Sequence, residues 1–207
     1  MDPRDDALVY DIEIARAILD RGRTPDPTVE YCKGWDDHAN MGIAVIGAYD
    51  YREGRYRVFC KDNSAAFAAL AAQRRLLVGH NILGFDNKVL AAHGLAVPAE
   101  KCYDTLVELA APSGRDFRGL GLDALCAANF GARKAGTGAL APVLWQRGEI
   151  GAVVDYCLED VRLTRLLFDR ICEAGCVADP RASGREIRPA SPMSVLTRAA
   201  AAVTLER

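Results

Sequence analysis

The run ALVYDIEIA, residues 7–15, limits this chain more than any other stretch. It is apolar apart from two carboxylates, and its mix of β-branched and aromatic residues reads as a short buried strand. On a strand, residues i and i+2 point to the same face, so Asp11 and Glu13 stand side by side while Ile12 and Ile14 face the other way. An exposed strand face often carries acids, but the flanking LVY and IA argue against exposure here. Two anions held next to each other in an apolar frame invite a cation.

Length and composition set the frame around that strand. At 207 residues, half of them hydrophobic and 26% charged, the chain suits one compact folded domain plus a tail and is too apolar to be intrinsically disordered. The N-terminal MDPRDDALVY has no basic-then-apolar pattern, and no stretch approaches the roughly 18 unbroken apolar residues of a membrane span. A cytoplasmic protein with no membrane partner is the expectation. Seven cysteines with no CxxC pair fit reduced, mostly buried thiols; Cys172 and Cys176 are four apart but lack a second ligand pair, which argues against structural zinc. A net charge of −2 supplies no global pull toward nucleic acid. Binding of a polyanion would therefore be local, and divalent cations held by carboxylates would invert the local field.

Further strands are read in NMGIAVIGAYD, RYRVFC, LLVGHN and, as a short one running into a helix, CYDTLVELA. Asp50, Glu53 and Gly54 turn the chain between the second and third. The segment from Ile18 to Ala39, with Pro25 and Pro27, is long for a connection and reads as a surface excursion near the site. Helices are expected from an N-cap at Ser64 to about Arg74, from near Gly84 to a stop at Gly94, over LGLDALCAANFG to Gly131, and from Ala152 to about Ala174. Strands first, then alternating helices and strands, point to an α/β sandwich around a central mixed sheet. From Val177 the chain turns to Pro, Ser, Arg and Ala, with five arginines against Asp179, Glu186 and Glu206. This basic tail, 177–207, is expected to be loosely held and solvated, with a short helix over 194–205 or a basic arm that touches nucleic acid as alternatives.

Two more carboxylates and a tyrosine complete the set. Asp86 follows a buried strand and lies in the first turn of a helix, where an acid is stabilised by about 0.3–1 kcal/mol. Tyr156 and Asp160 are four apart on the last helix and share a face; beside Asp155 and Glu159 the pair alone would read as solvated surface. Carboxylate oxygens with no His or Cys cluster select Mg²⁺ or Mn²⁺ over zinc. Two such ions about 3.5–4 Å apart can activate a water on one side of a phosphodiester and stabilise the departing oxygen on the other. That is phosphoryl hydrolysis.

The segments LVYDIEIA, VGHNILGFDNKVL and DYCLEDV resemble, in order and spacing, the three motifs of the DEDD superfamily of 3′-to-5′ exonucleases, the DnaQ-like nucleases. The resemblance covers roughly residues 7–172, and the Tyr156-x-x-x-Asp160 spacing resembles the DEDDy subgroup. It implies an RNase H-like fold over 1–176, with a central mixed five-stranded sheet flanked by helices. It also implies two divalent cations, Mg²⁺ or Mn²⁺, with Asp11 bridging both, Glu13 and Asp160 completing the shell of the first, and Asp86 holding the second directly or through water. Tyr156 would orient the attacking water. Asn81 and Phe85 would shape the site and contact the terminal nucleotides. The chain departs from the frequent pattern at Ile14, a wedge position where Thr is common. Asp104 and Thr105 resemble a supporting element of the family. The implied substrate is a single-stranded DNA or RNA 3′ end, DNA before RNA, cut to nucleoside 5′-monophosphates; a polymerase or helicase partner is left open.

Two rival readings stand beside this one: a catalytically inactive nucleic-acid-binding or scaffold domain of the same fold, and another Mg²⁺ enzyme with an acid pair, such as a glycosyltransferase or an aspartyl-nucleophile phosphatase. Neither of the latter needs Tyr156 with Asp160. Arg115, Arg118, Arg133 and Lys134 flank glycine-rich loops, where they would hold phosphates or simply be solvated. His80 reads as a hydrogen-bonding residue at a strand end.

Overall fold

The computed structural model describes residues 2–19, 22, 24–132 and 138–198. Its centre is a five-stranded mixed sheet built from β1 (Ala7–Ile14), β2 (Ile43–Asp50), β3 (Arg55–Phe59), β4 (Leu76–Gly79) and β5 (Cys102–Asp104). In space the strands run in the order β3-β2-β1-β4-β5, with β1 antiparallel to β2 and parallel to β4. Strands covered on both faces read as unbroken apolar runs, and ALVY and LLVG are fully buried for that reason.

The sheet is covered by helices α1 (Ser64–Ala72), α2 (Asp86–Ala92), α3 (Thr105–Ala110), α4 (Leu122–Phe130), α5 (Ala141–Gln146) and α6 (Ile150–Ala174). The two-residue period of β1 divides them. Leu8, Tyr10, Ile12 and Ile14 pack with Phe67 of α1 and Val89 and Leu90 of α2. Ala7 and Val9 pack on the other face with Leu125 of α4 and Val161 and Phe168 of α6. Asp11 and Glu13 continue that second row and so face the helix that carries Tyr156 and Asp160.

Several boundaries differ from the sequence reading. Ser64 is the first residue of α1 rather than its cap; Asn63 holds the cap position, and its Oδ1 accepts from the Cys60 N–H at 2.6 Å. Helix α5 has no counterpart in the reading. The excursion after β1 pairs Ala17–Ile18 in parallel with Tyr31–Cys32 before a helical turn at His38–Met41.

The stretch after α6 corrects the expectation of a loose tail. Val177–Ala178 pairs with Glu186–Ile187, and Val177, Ile187, Val195 and Leu196 are buried in the same cluster as Phe168. The Tyr103 hydroxyl donates to the Ala190 carbonyl at 2.8 Å, and residues 193–198 are helical. Apolar residues spaced too far apart to show a period nevertheless cover one flank of the core. The remainder of the expected 194–205 helix lies outside the described residues. Among the described residues no helix is long and apolar enough to cross a membrane, and all seven cysteines are free thiols.

Candidate active site

One cavity of about 320 Å³ collects the candidate catalytic, metal-holding and nucleotide-contacting residues, though among the described residues none of the basic ones considered for phosphate. Asp11, Glu13, Asp86, Tyr156 and Asp160 line it together with Ile14, Asn81 and Phe85. Several elements converge to make this possible, and each convergence has a local cause.

The first is the meeting of α6 with the sheet. Asp11 is the register partner of Gly47 on β2. A Cβ at Gly47 would stand 2.9 Å from Cys157 Sγ and 3.2 Å from Val161 Cγ2, closer than packed atoms stand. Only a residue without a side chain lets α6 lie this close. The approach sets Cys157 Sγ 3.4 Å from the Asp11 carbonyl and 3.9 Å from Asp11 Oδ2, and brings Tyr156 and Asp160, on either side of it, to the cavity. The register of β1 against β2 slips between Glu13 and Ile14, so the strand is irregular where it enters the site.

The second is the turn after β4. Pairing of β4 with β1 ends at Val9–Val78, and beyond it the Ile12 N–H donates to Asp86 Oδ1 at 3.1 Å. A Cβ at Gly79 would lie 2.1 Å from Ile82 Cγ2 and 2.9 Å from the Tyr10 carbonyl, so the turn closes tightly there. Asn81 takes a left-handed conformation, φ +67°, which Asn tolerates better than most residues. Asp104 holds the turn from outside: its carboxylate accepts from the N–H groups of Asn81 and Leu83, both at 2.9 Å, and from those of Leu106 and Val107 at the start of α3. The Thr105 hydroxyl donates to the Gly79 carbonyl at 3.0 Å and meets His80 Nδ1 at 2.9 Å. With the hydroxyl proton committed to Gly79, Nδ1 is the donor in that pair. Asp104, Thr105 and His80 thus brace the turn between β4 and α2, and His80 also lines the cavity.

Burial shapes the electrostatics. Asp86 is almost fully buried, and this pushes its carboxyl up to about 7, with the charges of Asp104 and Asp160 adding to the effect and the N–H groups of Asp86 itself and Ile12 opposing it. Glu13 and Asp160 are buried as well. Burial, reinforced by Asp11 and Glu13, raises the Cys157 thiol. Asp11, Glu13 and Cys157 each bring a donor atom within 4.8 Å of the others, a spacing one cation can span.

The sequence reading missed part of the wall. Ile18, Trp35 and Pro142 complete the cavity. Trp35 is exposed and meets the Phe85 ring edge-on, centroids 5.9 Å apart, so the excursion after β1 does reach the site. A lone tryptophan in a polar, proline-containing segment is the signal that could have marked it. Cys157 was visible only as one cysteine of seven. Of the basic residues considered for phosphate, Arg118 is paired to Asp116 through Nε and Nη2, while Arg133 and Lys134 lie outside the described residues.

No protein-family model matches the sequence, and no curated protein matches it. Among solved structures, the family B DNA polymerase from the hyperthermophilic archaeon Pyrobaculum calidifontis matches with a TM-score of 0.54 and 18% identity, over 80% of this chain and 24% of that one. The chain therefore spans about a quarter of the polymerase's length. The likeness is one of architecture: this chain has an α/β fold of the RNase H-like kind, a mixed five-stranded sheet flanked by helices.

Proposed function

We propose that the chain is a two-metal-dependent 3′-to-5′ exonuclease acting on single-stranded nucleic acid, DNA in preference to RNA, and releasing nucleoside 5′-monophosphates, with 1–176 as the nuclease unit. The observation that carries the reading is the gathering of Asp11, Glu13, Asp86, Tyr156 and Asp160 in one cavity whose remaining wall is largely apolar.

The donor set fits hard divalent cations. Four of its members are carboxylates, the Cys157 thiol beside them is pushed by burial toward its protonated form, and Asp86 is held in a setting that disfavours its anion until a positive charge arrives. Asp11, Glu13, Asp86 and Asp160 would hold two Mg²⁺ or Mn²⁺ ions, which supply an activated water and stabilise charge on the departing oxygen. The chain's own groups do the rest. Tyr156, whose hydroxyl lies beside Gly138, hydrogen-bonds the water and aims it at phosphorus. As the bond from water oxygen to phosphorus forms, the bond from phosphorus to the 3′ oxygen breaks, and that oxygen takes up a proton. Phe85, Trp35 and Ile14 flank the terminal base and sugar, and Asn81 offers an amide at the mouth. Positioning of this kind carries much of the rate enhancement in phosphoryl transfer.

The test is incubation of 5′-labelled DNA and RNA oligomers with the protein in Mg²⁺, Mn²⁺ or EDTA, alongside Asp11→Ala and Asp160→Ala. Expected is a ladder shortening from the 3′ end, dependent on metal, with kcat/KM lowered on the order of 10³-fold or more in either variant, as when one member of a cooperating set is removed. Binding without cleavage under any metal would assign the chain to the inactive nucleic-acid-binding or scaffold reading instead.

A further inference from the structure

A second groove, of about 780 Å³, opens beside the catalytic cavity, with Ala15, Arg16, Glu30, Lys61, His93 and Trp145 on its walls. The two share their partitions. Ile14 faces the catalytic cavity and Ala15 and Arg16, next along the chain, face the groove; on α5, Pro142 faces the first and Trp145 the second. Among the described residues Glu30 is the one acid on the groove's wall, and its Oε2 is taken by Arg16 Nε at 3.0 Å. Arg16 Nη1 also donates to the Asn40 carbonyl at 3.0 Å, which fixes the guanidinium at the rim. Lys61 and His93 are exposed. In a chain of net charge −2, this groove sets the Glu30-paired guanidinium of Arg16, the exposed ammonium of Lys61 and the His93 ring next to a partly buried indole, so its wall carries one net positive charge and several N–H donors. Phosphates are bound by such cations, and bases stack on such rings without regard to sequence.

We propose that the groove binds the sugar–phosphate backbone of the nucleic acid several nucleotides from the 3′ end that occupies the catalytic cavity, with Arg16 and Lys61 on phosphates and Trp145 beneath a base. The proposal rests on the nuclease reading and extends it from the reacting nucleotide to the strand behind it. Long strands engage both cavities, whereas a single nucleotide engages the first alone.

The experiment compares wild type with the Lys61→Ala/His93→Ala double variant and with Lys61→Glu, all changes at exposed positions. Affinity for a labelled strand of about a dozen nucleotides, DNA or RNA, is measured by fluorescence anisotropy with Ca²⁺ replacing Mg²⁺. Turnover of the 4-nitrophenyl ester of thymidine 5′-monophosphate reports the catalytic cavity alone. Expected is a Kd for the strand raised about tenfold at moderate salt, a dependence of log Kd on log salt shallower by about 0.7 for each phosphate no longer held, and ester hydrolysis unchanged. An unchanged Kd and salt slope in both variants overturns the groove assignment while leaving the nuclease reading in place. Weakened strand binding in a protein that hydrolyses neither ester nor strand supports the groove and removes the nuclease. Failure of wild type to bind either polymer overturns both.

Discussion

The two ends of the central sheet bury carboxylates on different terms. Where β2 ends, Asp50 is 0% exposed and Arg74 3%, and they form a bidentate pair, Nη2 to Oδ2 at 2.6 Å and Nε to Oδ1 at 3.0 Å. Burial works to raise the Asp50 carboxyl, but the hydrogen bonds and charge of Arg74 outweigh it and hold the group below its ordinary range. At the opposite end Asp86 accepts a backbone N–H from Ile12, and burial with the nearby Asp104 and Asp160 raises its carboxyl to about 7. The first end settles its charge within the fold. The second carries a cost that the proposed cations would remove, so one sheet holds a carboxylate kept charged by its partner at one end and a carboxyl pushed toward neutrality at the other.

Breaking the closed end has the largest expected effect on stability. Arg74→Met leaves Asp50 buried without its guanidinium and is expected to lower unfolding free energy by about 3–5 kcal/mol, read from urea denaturation. A loss under about 1 kcal/mol would mean that Arg57, whose Nε lies 3.9 Å from Asp50, takes over the pairing and that the end is less committed than its geometry indicates.

Asp86→Asn sharpens the contrast from the other side, and its sign is opposite. An unfolded Asp releases its proton near pH 3.9, whereas the folded Asp86 keeps it to about 7. The folded state therefore binds more protons between those values, and stability falls as pH rises from about 4 to 7, then levels. Removing the titration should flatten this fall and make the metal-free variant more stable than wild type at pH 8 by about 1–2 kcal/mol, while catalysis is lost. Thermal midpoints in EDTA across that range decide it: parallel pH profiles for the two proteins would place the raised group elsewhere.

The smallest effect is that of metal on stability. At pH 8, Mn²⁺ at about ten times its dissociation constant should stabilise wild type by about 1.4 kcal/mol. Arg74→Met should gain the same increment, because the two ends share no partner, and Asp86→Asn should gain less. Equal gains in all three proteins would detach the cation from Asp86.

The end that gathers Asp11, Glu13, Asp86, Tyr156 and Asp160 was more legible in the sequence than the closed one, because local rules govern it. Two-residue periodicity put Asp11 and Glu13 on one face, and a four-residue step on α6 put Tyr156 with Asp160. The Asp50–Arg74 pair joins a strand end to the connection after α1, and nothing in either segment announces the other. Helix α5 spans only six residues with Pro142 in its first turn, too short to show a period. Trp35 acquires its role through Phe85 on a distant turn, and Val177, Ile187, Val195 and Leu196 acquire theirs through helix faces assembled only in the folded chain. Contacts between remote segments are what periodicity leaves unseen.

Gly47 has a consequence for how this molecule can change. It lies outside the proposed catalytic set, yet its single hydrogen sets the spacing between the strand bearing Asp11 and the helix bearing Asp160. One added methyl would act as a shim, lifting the whole helix and widening the gap between carboxylates from opposite halves of the chain. Tolerance at such a position depends on bulk alone, and a screen for altered preference among the proposed cations could begin there, tuning ion size by spacing without touching any of the carboxylates.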